Sequence, residues 1–222
     1  MSTDSTNVVF FGDSICFGQG VSIHRGWVPR LSAEVEKIAI ETGRDALVIN
    51  TAINGNTTRQ ALERMPYDVQ SHGVDILIVQ FGMNDCNCWK TDRGLPRVSP
   101  AAFRANLAEI VDRGIAFGAK HVFLHTNHPT TRTDDVMAFT DKTYQQSNEE
   151  YNDLIRAAAA DLGHRVVLID LEKAILEPVR EGTVSVADMV LPDGLHLSPR
   201  GHDIYFETVG PILLPRIREV LA

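Results

Sequence analysis

Phe10-Phe11-Gly12-Asp13-Ser14-Ile15 is the stretch on which the reading of this chain turns. Val8 and Val9 precede it, so four apolar residues run together. That is long enough for a buried strand and too short for a helix of its own. Gly12 then permits a sharp backbone turn where a side chain would clash. Ser14 follows at once, ahead of Gly18, Gly20 and a helical pattern. A serine between the end of a buried strand and the start of a helix sits where open α/β sheets hold their ligands. Taken alone, the same residues also fit a plain helix cap supplied by Asp13 or Ser14.

The rest of the chain alternates. Trp27, Val28, Leu31, Val35 and Ile38 recur at helical spacing, with Gly43 as a stop. Residues 46–49 read as a second strand and end in a polar loop holding Asn54, Gly55, Asn56 and Thr57. A helix is expected over 59–71, shortened by Pro66. Residues 74–81 give the strongest strand signal, with Ile76, Leu77, Ile78 and Val79 unbroken as in a strand covered on both faces, and end at Gly82-Met83-Asn84-Asp85. After a loop over 86–98, Ser99-Pro100 opens a helix whose buried stripe is Phe103, Leu107, Ile110 and Val111. Residues 121–125 and 166–169 read as the fourth and fifth strands, with a helix marked by Tyr151, Leu154, Ile155, Ala158 and Leu162 between them. Residues 127–142 read as a long polar loop, a candidate lid. Residues 171–190 carry no clear pattern, and Ser198-Pro199 opens a terminal helix expected to bend near Gly210-Pro211.

Five strands separated by helices imply an α/β fold, a parallel sheet between two helix layers. No Pro/Gly/Ser-rich linker divides residues 1–222, so one domain is expected. Periodicity does not give the strand order; the flavodoxin-like order 2-1-3-4-5 is one of the common doubly wound arrangements.

Composition narrows the function. Hydrophobic residues make up 44% and charged residues 23%, enough apolar material for a core without staples. The net charge of −8 argues against a nucleic-acid partner, whose phosphates need Lys and Arg. No apolar run is long enough to cross a bilayer, and residues 1–7 lack an export pattern. Three cysteines, Cys16, Cys86 and Cys88, then read as free thiols, and a cytoplasmic place is expected. The oligomeric state is not encoded in any pattern of the sequence.

All loops after the strands of a parallel sheet emerge on one edge. That edge would gather Ser14, the Asn54-Gly55 pair, the Gly82–Asp85 block, and Asp193 with His196. Asp and His three residues apart lie side by side if their segment makes one helical turn. Asp193 can then accept a hydrogen bond from His196 and fix its ring. His196 can take the proton of Ser14, a poor nucleophile without an adjacent base. Ester cleavage also needs donors where an oxyanion forms. The N–H groups of Ser14 and Gly55 and the amide of Asn84 are the candidates, Gly55 because bare backbone approaches a ligand closely.

Plainer readings stand beside these. Asp13 reads as a cap and Asp85 as structural, and Asn84-Asp85 also fits a turn pair. His24, His72, His121, His164 and His202 read as structural or solvated, and His125 and His128 more as packed than as cleft-lining. Cys86 and Cys88 lack a second Cys pair, which favours packing over zinc. Cys16 reads as a packing residue. Trp89 is a candidate pocket wall for an acyl group or sugar ring. Arg132 is a candidate anion binder through its planar fork, set against an ordinary solvated arginine.

The sequence resembles the SGNH hydrolase family, also called GDSL-like esterases and lipases. The resemblance rests on Gly12-Asp13-Ser14-Ile15, with Ile15 where leucine is usual; on Gly55 in Asn54-Gly55-Asn56-Thr57; on Gly82-Met83-Asn84-Asp85; and on Asp193-Gly194-Leu195-His196. Leu197 departs from the proline that many members place after the histidine. The four blocks stand in the family's order across nearly the whole chain. The resemblance implies Ser14 as nucleophile, Asp193 and His196 completing a triad, and Ser14, Gly55 and Asn84 as oxyanion donors. It also implies a three-layer flavodoxin-like sandwich and no required cofactor or metal.

The expected function is a serine hydrolase acting on small carboxylic esters through an acyl-enzyme, with short acyl groups such as acetyl on a sugar or metabolite first. The rivals are a thioesterase or lysophospholipase-type hydrolase, and a carbohydrate-binding module without catalysis on the same fold. A flavin or phosphate binder using the Gly12–Gly20 loop lacks the phosphate-loop spacing and its lysine.

Overall fold

The structure, a computed structural model, describes residues 5–222; the first four of the seven N-terminal residues read for an export pattern lie outside it. Five strands form one parallel sheet: β1 (Thr6–Gly12), β2 (Ala46–Asn50), β3 (Ile76–Gln80), β4 (His121–His125) and β5 (Val167–Ile169). Their order is β2-β1-β3-β4-β5, the doubly wound order named above. β1 is an interior strand and pairs in parallel with both neighbours, Val9 opposite Ile49 on one side and Leu77 on the other. Every residue of β3 is buried, which is why its apolar run carries no alternation.

Eight α-helices surround the sheet among the described residues: α1 (Ser14–Phe17), α2 (Trp27–Thr42), α3 (Thr58–Asp68), α4 (Pro100–Ala116), α5 (Tyr144–Leu162), α6 (Leu171–Arg180), α7 (Val186–Met189) and α8 (Pro199–Leu221). α2 packs against α8, while α3, α4 and α5 pack on one another in succession, giving the two helix layers. Trp27 anchors the first layer. Its ring stacks on Tyr205 with centroids 4.3 Å apart, and its indole N–H donates to the Ile15 carbonyl.

Several local expectations change. Pro66 lies inside α3 rather than ending it. It removes one N–H from the last turn, and fully buried Ala61 and Met65 hold the helix regardless. The unpatterned 171–190 stretch forms α6 and α7, while the terminal helix α8 is present as expected, with Gly210, Pro211 and Pro215 inside it. The segment after β4 is polar, as expected, but not exposed throughout. Thr126 through Thr130 are buried, and only from Thr131 does the chain reach the surface.

Candidate active site

Four segments meet at the carboxyl edge of the sheet. β1 delivers Asp13 and Ser14. The backbone of Gly12 passes so close to its neighbours that a Cβ there would stand 2.5 Å from Cys16 Cβ and 2.9 Å from the Gln80 carbonyl. A glycine is required here by close approach. Asp13 caps α1, its Oδ1 accepting the Ile15 N–H at 3.0 Å. Gln80, at the end of β3, accepts the Cys16 N–H at 3.1 Å and so ties the helix that carries Ser14 to the sheet.

The Asp193–His196 segment arrives by a different route from the one expected. It follows α6 and α7 rather than leaving a strand directly, and it makes no helical turn. The Leu191 N–H donates to the His196 carbonyl at 2.7 Å, and the Gly194 N–H donates to the Leu191 carbonyl at 2.8 Å. Within that turn Asp193 Oδ1 accepts the N–H groups of Leu195 and His196 at 2.9 and 3.0 Å. Its Oδ2 lies 2.6 Å from His196 Nδ1. The carboxylate thus folds its own loop and orients the imidazole in one act. His196 Nε2 lies 3.0 Å from Ser14 Oγ. Burial pushes the Asp193 carboxyl upward, but the hydrogen bonds from His196 and the two N–H groups outweigh it and hold the pKa below the ordinary aspartate value.

The third segment is the turn after β2. Gly55 has φ +77, and the Asn56 N–H donates to the Ile53 carbonyl at 3.2 Å to close the turn. The N–H groups of Ser14 and Gly55 meet no acceptor among the described residues. Asn84, after β3, completes the set: its Nδ2 donates to Asp13 Oδ2 at 3.2 Å, leaving its second N–H hydrogen for the cleft. Asp85 turns inward and accepts from the Thr58 N–H and hydroxyl at 2.9 and 2.5 Å, capping the start of α3. Burial raises the Asp13 carboxyl to about 7 and that of Asp85 to about 6.

The segment after β4 supports the site from below. His128 is buried, and its Nε2 lies 2.8 Å from the Leu195 carbonyl, one residue before His196. His125 is buried against Tyr205, its Nδ1 2.8 Å from the hydroxyl. Both histidines are therefore packed supports rather than cleft walls. Cys86 donates to the Met83 carbonyl and is fully buried, while Cys88 is partly exposed. Among the described residues no three His, Cys, Asp or Glu side chains cluster as metal ligands would.

The two substrate-pocket candidates take different places. Trp89 is half exposed and, with Thr57, Arg59, Gln60 and Arg97, lines a cavity of about 430 Å³ beside the Gly55 turn. Arg132 donates from Nε to the Asp193 carbonyl at 2.9 Å and lies over the Tyr144 ring, so one edge of its fork is already engaged in holding the Asp193 loop. Sequence reasoning missed Arg97, whose Nη1 donates to the Gly55 carbonyl at 3.1 Å and to Asn84 Oδ1 at 3.3 Å. Nothing local marks it; its partners lie 42 and 13 positions away. Gln80 escaped for the same reason, whereas His128 takes the packed place expected of it.

Residues 10–204 match the family model for the GDSL-like Lipase/Acylhydrolase family. The chain is similar to "Esterase TesA" of Pseudomonas aeruginosa, 27% identical over 92% of this chain and 86% of that protein. It is similar to "Uncharacterized lipoprotein YqeF" of Bacillus subtilis, 25% identical over 91% of this chain and 87% of that protein. Among solved structures it resembles Axe2, an acetylxylan esterase from Geobacillus stearothermophilus, with a TM-score of 0.72, 21% identity, and coverage of 98% of this chain and 96% of that one.

Proposed function

The chain belongs to the GDSL-like Lipase/Acylhydrolase family, a carboxylic ester hydrolase by that kinship, and we propose that it cleaves small esters with Ser14 as nucleophile through an acyl-enzyme. The observation that carries this reading is the unbroken line from Asp193 Oδ2 to His196 Nδ1 at 2.6 Å and from His196 Nε2 to Ser14 Oγ at 3.0 Å.

In this mechanism His196 Nε2 takes the Ser14 proton as Oγ bonds to the ester carbonyl carbon. The carbonyl π electrons move to oxygen, and the oxyanion is held by the N–H groups of Ser14 and Gly55 and by Asn84 Nδ2. The tetrahedral centre collapses, the C–O bond to the alcohol breaks, and the imidazolium gives its proton to the leaving oxygen. Water then repeats the sequence on the acyl-enzyme, releasing the acid and returning the proton to Ser14. Asp193 stabilises the imidazolium throughout.

Short acyl groups, such as acetyl on a sugar or small metabolite, are the proposed substrates. The likeness to the acetylxylan esterase is one of fold, so this choice rests on the cavity beside the Gly55 turn, whose tryptophan face stands among both polar and apolar side chains. Trp89 is the wall against which the substrate rests, and Arg132 meets it only through its two Nη groups. No helix is long and apolar enough to cross a membrane among the described residues. One relative is described as a lipoprotein, so the proposed cytoplasmic place leans on the three free thiols.

Fluorophosphonate labelling followed by peptide mass mapping tests the reading. A single adduct on Ser14 that abolishes hydrolysis of p-nitrophenyl acetate is expected. An unlabelled Ser14 in a protein that still binds acetylated sugars would favour the binding-module alternative. Comparison of kcat/KM across acetyl, butyryl and octanoyl esters and an acetyl thioester then sets the acyl preference.

A further inference from the structure

Arg97 stands apart from the other arginines around the cleft. Its Nη1 reaches two acceptors, the Gly55 carbonyl and Asn84 Oδ1, which belong to the two residues proposed to supply oxyanion donors from outside the Ser14 segment. Its guanidinium lies over the Trp89 ring, with Cζ 4.2 Å from the centroid. Among the described residues it has no carboxylate within ion-pair distance, so those contacts are what fix it. The strand of chain that carries it is itself tied down. The Arg97 N–H donates to the Asn87 carbonyl at 3.0 Å, and the next N–H, of Val98, donates to the Asp85 carbonyl at 3.2 Å.

From this geometry we infer that Arg97 is a positioning residue of the oxyanion hole, holding Gly55 from its carbonyl side and setting which way the Asn84 amide faces.

The physical argument concerns Asn84 first. A side-chain amide has nearly the same shape either way round, so its orientation is decided by its neighbours. Asp13 Oδ2 on one side suits the NH2 group. A carboxyl that titrates near neutrality does not enforce this alone, since its protonated form can donate. Arginine has donors only and keeps its proton at every working pH. With Arg97 against Oδ1, reversal of the amide would place NH2 against a guanidinium. The amide nitrogen therefore stays on the Asp13 and Ser14 side regardless of the state of Asp13.

Gly55 gains in a different way. It is exposed, has φ +77, and a Cβ built on it would meet nothing within 4 Å, so the walls of the cleft do not confine it. The hydrogen bond from Arg97 to its carbonyl fixes the peptide on its C-terminal side, while the Asn56 to Ile53 turn bond closes the loop. Its place over the Trp89 ring adds a contact that a lysine ammonium does not reproduce in the same planar form. One side chain thus sets the angle between two donors that come from different strands.

The inference rests on the reading of Gly55 and Asn84 as oxyanion donors, and the experiment separates the two. Arg97→Ala, Arg97→Lys, Asn84→Ala and the Arg97→Ala/Asn84→Ala double variant are compared on p-nitrophenyl acetate, a neutral ester that gives a guanidinium nothing to pair with. Misaligning one or two donors is expected to lower kcat by about 10–100-fold, less than the roughly 100–1,000-fold of outright loss of an oxyanion donor, with KM changed no more than about threefold. Arg97→Lys should share the fall, and added guanidinium ion should restore part of the activity of Arg97→Ala. In the Asn84→Ala background the further cost of losing Arg97 should shrink to a few-fold.

A raised KM with unchanged kcat would show Arg97 to be a substrate contact and overturn the inference. So would a cost for Arg97→Ala that is the same in both backgrounds. If Asn84→Ala itself keeps full kcat, the oxyanion reading falls and takes the inference with it. Should Arg97→Ala fail to fold, Arg97→Lys, which keeps stem and charge, carries the same comparison.

Discussion

His196 Nε2 and Ser14 Oγ lie 3.0 Å apart although 182 positions separate the two residues in the chain. No local feature of either segment produces that distance. It follows from the parallel sheet, which puts the end of β1 at the same edge as the turn that precedes α8. Asp193→Asn probes what sits behind the contact. The amide can present NH2 to His196 Nδ1 and reverse the ring's tautomer. A loss in kcat of about a thousandfold or more is expected, with little change in KM. A loss below tenfold would mean that the carboxylate does not orient the imidazole.

Gly55→Ala tests the turn after β2. The added methyl meets nothing within 4 Å, so any effect comes from the backbone. At φ +77 an alanine costs about 1–2 kcal/mol, and relaxation of φ rotates the N–H away from the carbonyl it would bind. We expect kcat to fall at least about tenfold, with a melting temperature lower by only a few degrees. Gly55→Asn should fall less, because asparagine visits this region more readily. Equal activity of all three proteins would remove Gly55 from the oxyanion hole.

His125→Gln gives a pH signature. Burial lowers the His125 pKa to about 3, so the folded protein holds it neutral while the unfolded chain protonates it near its ordinary value of 6.5. The folded pKa is depressed, so its contribution is present above 6.5 and lost as pH falls toward 3. The slope is about 1.4 kcal/mol per pH unit for one proton. Glutamine can still meet the Tyr205 hydroxyl and does not titrate. The stability gap between wild type and variant, from denaturant melts at pH 7, 6, 5 and 4, should therefore narrow or reverse as pH falls. A gap that is constant across that range would contradict the neutral buried state.

Much of this architecture was legible. The apolar run at 76–79 is a fully buried central strand, and three strand-end blocks do converge with the Asp193–His196 turn, which comes after α7 rather than after a strand. The juxtaposition of Asp193 and His196 was anticipated for the wrong local reason. A spacing of three suggested a helical turn, whereas the carboxylate accepts two N–H groups and folds a loop around itself. Pro66 shows the opposite case, a helix breaker overruled by the burial of Ala61 and Met65. Arg97 and Gln80 were invisible because their importance lies wholly in contacts made across the fold, Arg97 in a loop without periodicity and Gln80 at a strand end where nothing local marks it.

The most direct test is turnover of p-nitrophenyl acetate by Ser14→Ala, measured beside wild type at the same enzyme concentration. The hydroxyl makes one hydrogen bond, to His196, so the variant should fold as wild type does and bind the ester, yet lose at least about a thousandfold in kcat. Undiminished turnover by a folded Ser14→Ala protein would contradict the account at its centre.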